Sequence, residues 1–201
     1  MNFLAHAYLS FNHPEILVGN MISDFVKGAQ KLSFSGMIRK GISLHRSIDG
    51  FTDTHPATRK AKIFFQPAYR LYSGAIVDVL YDHFLANDPA IFEAQSLKAF
   101  SAQTYQHLAD HAAQLPSRFV PVFTYMRSED WLYNYRTREG TRKSLAGMVR
   151  RATYISDSQP AYELFLEHYG ELEACYRDFF GDVKLFAKQN FEELLLSNDD
   201  V

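Results

Sequence analysis

His6, Asp24, His45, Asp49, Asp53, Asp78, Asp82 and His83 all fall within the first 83 positions, several of them inside otherwise apolar stretches. An ionised carboxylate in such surroundings is costly unless something pairs with it. A shared divalent cation is one such partner. Mixed imidazole and carboxylate donors suit manganese, iron, zinc or magnesium better than they suit a thiolate-seeking ion. An ion held there would lower the pKa of bound water and clamp a phosphoryl oxygen, giving hydrolysis at neutral pH without a protein nucleophile.

The spacing sharpens this. In Leu44-His45-Arg46-Ser47-Ile48-Asp49, His45 and Asp49 are four apart and share one helix face. Both can ligate one ion, or Asp49 can orient the imidazole through its second nitrogen. Asp53 lies one turn further on. Asp78 and Asp82 are again four apart, flanked by Ile76, Val77, Val79, Leu80 and Phe84, and two carboxylates so placed repel unless a cation intervenes. His83 follows directly and adds a second ligand type. Asp24 closes the run Gly19-Asn20-Met21-Ile22-Ser23-Asp24, as a ligand or as a cap for the next turn. His6 sits in the apolar run Phe3-Leu4-Ala5-His6-Ala7-Tyr8-Leu9, where a histidine is a ligand or a hydrogen-bonded core residue. Each pair alone also fits an ordinary structural role.

Other chemistries find no support. There is no glycine-rich phosphate loop, no G-x-S-x-G and no H-E-x-x-H. Cys175 is the only cysteine, which excludes an internal disulfide and a cysteine-rich zinc site, and reads as a small core residue. His13, His55, His107, His111 and His168 read as surface or structural groups.

Helices must position the candidate residues, because apolar residues recur with helical spacing and strand signals are poor. The expected helices cover residues 2–11, 14–25, 36–53, 67–86, 96–113, 119–134, 138–154 and 160–195, the last with a bend or break near Gly170 or Gly181. Ser33 and Ser35 are candidate N-caps, and Pro56 closes the third helix. Residues 197–201 are expected to fray. With 201 residues, 47% of them hydrophobic, one all-α domain spanning 1–201 with a sizeable core is expected. No run of 18 apolar residues occurs, so no membrane span is expected. His6 and His13 interrupt the apolar start, so no signal peptide is read and a cytoplasmic location is expected.

The formal net charge is −2, which argues against a globally basic nucleic-acid binder. Charge is nevertheless uneven. Arg136, Arg138, Arg142, Lys143, Arg150 and Arg151 share residues 136–151 with one acid, Glu139, whereas ten acids and three bases follow from Glu163 onward. That asymmetry could steer an acidic partner to the first group. Arg39-Lys40 and Arg59-Lys60-x-Lys62 compete for the same role, and solvated helix faces are the ordinary explanation.

Taken in order, Asn2-Phe3-Leu4-Ala5-His6, Gly19-Asn20-x-x-x-Asp24-Phe25, His45-Arg46-x-x-Asp49-x-x-Thr52-Asp53, Asp82-His83-Phe84, Ser128-Glu129-Asp130-Trp131-Leu132 and Tyr135-Arg136 resemble the acyl carrier protein phosphodiesterase family over nearly the whole chain. The resemblance implies an all-helical, HD-phosphohydrolase-like bundle and a divalent metal, usually manganese. It implies hydrolysis of the phosphodiester between carrier-protein serine and 4′-phosphopantetheine. The motif order departs from the HD pattern, because here His45 precedes Asp49 and Asp82-His83 is reversed. On this reading His6, Asp24, His45, Asp49, Asp82 and His83 hold the metal. Arg46 stabilises phosphoryl oxygens, Asp78 supports the site, and the basic group at 136–151 receives the acidic carrier. Competing readings are a metal-dependent hydrolase of nucleotides or other small phosphoesters, and a non-enzymatic helical binding module. Oligomeric state is not legible in the sequence.

Overall fold

Prolines and capping side chains punctuate the chain. Proline occupies the first turn of five helices, where its missing N–H costs nothing. Ser35 Oγ accepts from Ile38 N–H, Thr137 Oγ1 from Gly140 N–H, and the His13 and His55 rings accept from Ile16 and Ala57 N–H. The computed structural model describes residues 1–197, except the side chain of Ala94. It contains α1 (Phe3–Tyr8), α2 (Pro14–Ile22), α3 (Gly36–Thr54), α4 (Pro56–Ile63), α5 (Gln66–Tyr69), α6 (Ser73–Ala86), α7 (Ala94–Asp110), α8 (Val120–Ser128), α9 (Trp131–Asn134), α10 (Arg138–Arg151), α11 (Gln159–Glu167) and α12 (Tyr169–Leu196). Short 3-10 turns join several of them, and no strand occurs among the described residues. The chain is all-α, as expected.

The boundaries differ from the sequence reading where non-glycine residues take left-handed backbone. Phe11 and Asn12 at φ 50° and 59° follow the shortened α1. Arg70 at φ 47° splits the helix expected over 67–86, and Asp130 at φ 46° splits the one expected over 119–134. Pro56 opens α4 as well as ending α3, so residues 56–63 are helical where a gap was expected. The long C-terminal segment breaks at His168, just before Gly170, and runs unbroken through Gly181. Of the end expected to fray, residues 198–201 lie outside the described residues.

One buried apolar cluster extends from Met1 to Phe191. At its centre is α6, which is apolar on nearly every side and packs against α1, α4, α10 and α12. The other pairing that matters for the site is α2 on α3. A Cβ on Gly19 would collide with the Ile38 carbonyl oxygen, and one on Gly41 with that of Ile16, so the two glycines permit a backbone-to-backbone crossing. Among the described residues no helix is long and apolar enough to cross a membrane.

Candidate active site

The crossing of α2 over α3 sets the site. Its close approach brings the Asn20 carbonyl, in the last turn of α2 where helical acceptors lose their regular partners, to 2.8 Å from His45 Nδ1. That bond places the proton on Nδ1 of the neutral imidazole and leaves Nε2 facing outward. Asn20 also donates from Nδ2 to the His6 carbonyl and to Ser10 Oγ, both at 3.0 Å, which ties α1 to the same corner.

Three side chains from α1 and α3 then converge. The His6 and His45 rings stack at 3.9 Å between centroids, with an interplanar angle of 18°. His6 Nε2 lies 3.2 Å from Asp49 Oδ1, and His45 Nε2 lies 3.1 Å from Asp49 Oδ2. Ligand atoms of His6, His45 and Asp49 all fall within 4.8 Å of one another. The exposed Asp24 also reaches His45, its Oδ1 3.2 Å from Nε2. Two imidazole nitrogens and the Asp49 carboxylate, with Asp24 beside His45, form a donor set that fits a divalent cation. His6 Nδ1 is buried without a partner, as for a ring whose only committed edge is Nε2.

The charge states of the two histidines diverge. Burial works against a proton on His45, but hydrogen bonds to Asp24 and Asp49 outweigh it and raise the pKa to about 9. Burial and the neighbouring His45 charge together lower His6 to about 4 despite Asp49. Burial opposes ionisation of Asp49, yet the α-amino group of Met1 and the two histidines hold it far below the usual carboxylate range. The hydrogen bond from His45 does the same for Asp24.

The remaining expected site residues have other partners. The Met1 α-amino group is buried and lies 3.1 Å from Asp78 Oδ1 and 3.2 Å from Asp49 Oδ1. Asp82 is fully buried, and its two oxygens accept from Leu4 N–H at 2.7 Å and Ala5 N–H at 3.1 Å. It therefore caps α1 from across the core. The repulsion expected between Asp78 and Asp82 is thus relieved by an ammonium on one and a helix N-terminus on the other. Burial still pushes the Asp82 carboxyl up to about 7, against the pull of the two N–H donors. His83 faces away from the cluster, with Nδ1 2.8 Å from the Tyr135 carbonyl and Nε2 3.1 Å from Tyr169 Oη. The structure does not bring Asp82 or His83 to the proposed metal position. Asp53 pairs with Lys62 at 2.7 Å. Arg46 is exposed and reaches the Val26 carbonyl at 3.5 Å rather than Asp49 or Asp53.

Beside the cluster opens a cleft of about 280 Å³, lined by Asp24 and Asp78, by Phe3, Phe25 and Met148, and by Arg151 at the end of α10. The sequence reading missed the Met1 amino group and the Asn20 carbonyl. Backbone groups carry no residue-type signal, although Gly19-Asn20 marked the position. The basic group at 136–151 also divides. Arg142 pairs with Glu139 at 2.8 Å and Lys143 with Glu129 at 3.8 Å, while Arg136 and Arg138 lie over the rings of Tyr133 and Tyr169.

Comparison with known proteins bears on the family of the chain. The family model described as acyl carrier protein phosphodiesterase matches residues 1–183. A protein of that name from Photorhabdus laumondii is 30% identical over 181 residues, covering 90% of this chain and 91% of its own. Namesakes from Yersinia pestis and an Enterobacter species are each 32% identical, over 181 and 189 residues, covering 90% and 94% of this chain and 94% and 98% of their own. No solved structure matches the chain. With a family model covering nearly its whole length and relatives of matching length, the chain belongs to the acyl carrier protein phosphodiesterase family.

Proposed function

We propose that this protein is a metal-dependent phosphodiesterase that cleaves 4′-phosphopantetheine from the serine of holo-acyl carrier protein, yielding apo-carrier protein and 4′-phosphopantetheine. The observation that carries the reading is the meeting of His6, His45 and Asp49, with Asp24 against His45 and on the wall of the neighbouring cleft, in a chain of this family.

His6, His45, Asp49 and Asp24 would hold the cation, manganese being the first choice. Bound there, a divalent cation supplies Lewis acidity toward a phosphoryl oxygen and lowers the pKa of water. The protein's part follows from its own groups. Asn20 fixes the His45 tautomer, so Nε2 need not rotate to act. His6, with its pKa lowered to about 4, is neutral at physiological pH and can ligate through Nε2 without net proton loss, once its ring hydrogen moves to the unpartnered Nδ1. His45 must give up its Nε2 proton before it can donate electrons, because Asp24 and Asp49 favour the imidazolium. Phe3, Phe25 and Met148 provide apolar walls that restrict water in the cleft. Kinship to the HD phosphohydrolases belongs to the same proposal and rests on the helical scaffold and the His/Asp donor set. Docking of the acidic carrier on the exposed bases of α10 belongs to it too, and would show as a Michaelis constant that rises with salt.

The direct test incubates the purified protein with holo-acyl carrier protein and manganese, with a chelator control, and follows the intact mass of the carrier. Loss of the phosphopantetheine mass only when metal is present is the expected result. No loss with metal bound and fold intact would overturn the carrier-protein reading in favour of a small phosphoester substrate.

A further inference from the structure

Sequence placed six cations of residues 136–151 in a single docking group, with Arg46 as the one at the phosphate. The structure separates the last of the six. Arg136 and Arg138 rest on aromatic rings, and Arg142 and Lys143 pair with acids of their own neighbourhood. Arg151 lines the cleft that also holds Asp24 and Asp78, and no carboxylate pairs with it among the described residues. Arg46 is not among the cleft-lining residues.

We infer that Arg151 binds the non-bridging oxygens of the phosphodiester in this cleft and so acts at the reacting group rather than at the docking surface. The inference rests on the phosphodiesterase reading above for its substrate, but its chemistry needs only an anionic phosphate. The same cleft is lined by two acids, Asp24 and Asp78, and by a planar two-pronged donor. A phosphoryl group entering this cleft shares it with Asp24, which touches His45, and with a fork of N–H groups. A guanidinium without a carboxylate partner has its donors available when substrate arrives. Desolvation at the cleft wall also draws its pKa below the usual range, and an entering anion would relieve that penalty. Tyr135, buried behind it, offers no competing charge while its phenol stays protonated, and its pKa is raised well above the usual tyrosine value by burial.

The test measures binding of inorganic phosphate to the manganese-loaded protein by titration calorimetry, and in parallel kcat and KM for holo-acyl carrier protein. Wild type, Arg151→Met, Arg151→Lys and Arg177→Met are compared. Arg177 is an exposed cation on α12 paired with Glu173 and serves as the control. Arg151→Met should weaken phosphate binding by about 10–100-fold and lower kcat by about 10²–10³-fold, with KM for the carrier little changed. Arg151→Lys should recover part of the binding, and Arg177→Met should match wild type. If wild type binds no phosphate, if Arg151→Met binds it normally, or if the variant raises only KM for the carrier, the inference is overturned. Should Arg151→Met fail to fold, Arg151→Lys is read by the same criteria. A wild type that ignores the carrier protein but binds phosphate through Arg151 would sink the carrier-protein reading and leave this one standing.

Discussion

His45 and His83 are built alike on one side and differently on the other. Each is buried, and each uses Nδ1 to meet a carbonyl near the end of another helix at 2.8 Å, Asn20 for His45 and Tyr135 for His83. At Nε2 they part. His45 faces Asp24 and Asp49, which raise its pKa to about 9, whereas His83 faces the Tyr169 hydroxyl and burial lowers its pKa. The shared half is a folding device, since a ring N–H satisfies a main-chain acceptor that its own helix leaves open. The unshared half decides chemistry, because only carboxylates around a free nitrogen attract a cation.

The comparison breaks first if the two rings matter equally to turnover. His45→Gln should lower kcat/KM by on the order of 10³-fold or more, about 4 kcal/mol of transition-state stabilisation, and abolish metal retention, with helical circular dichroism unchanged. His83→Gln should keep metal stoichiometry and lose less than about tenfold in kcat/KM, while lowering the melting temperature. Equal loss of metal in both variants would return His83 to the site.

Asp82 gives the next largest effect, and on stability rather than activity. Its removal strands two buried N–H donors at the start of α1, so Asp82→Ala should cost about 2–4 kcal/mol in denaturant unfolding. Bound metal per folded molecule should stay the same. A stable Asp82→Ala variant that loses its metal would make the carboxylate a ligand after all.

The smallest and most diagnostic effect is the pH response of the metal-free protein. His45 has a folded pKa of about 9 against an ordinary 6.5, so across that interval the folded state holds a proton that the unfolded state has lost, and stability falls as pH rises. His6, at about 4, is the reverse: between 4 and 6.5 the folded state lacks a proton that the unfolded state holds, and stability rises with pH. A melting-temperature maximum near pH 6.5 is expected from these two groups. Metal uptake near neutral pH should expel roughly one proton from His45, measurable by calorimetry in buffers of different ionisation enthalpy. Uptake without proton release would remove His45 Nε2 from the ligand set.

Much of α3 was legible in the sequence. Ser35 announced its start, the i,i+4 rule put His45 and Asp49 on one face, and Pro56 marked its end. The roles of Asp82 and His83 were not, because their partners, Leu4 and Tyr135, lie 78 and 52 residues away. An Asp-His step on an apolar helix looks the same whether it faces a metal or a helix end. The break at Arg70 was equally silent, since arginine does not announce a left-handed backbone, whereas Asp130 is a residue type that tolerates one and gave a signal the helical periodicity overrode. Helix α4 is hard to read from the sequence because Pro56 marks a stop for α3 and serves as readily in the first turn of the next helix.

The crossing at Gly19 and Gly41 has a consequence for anyone wishing to move this chemistry. Four side chains could be copied onto another helical scaffold, but the Asn20 carbonyl reaches His45 only because two helices touch where neither carries a methyl group. A donor layout of this kind is stored as missing volume. Transplanting it means transplanting the gap, and an alanine at either glycine should detune the site while leaving every ligand in the sequence.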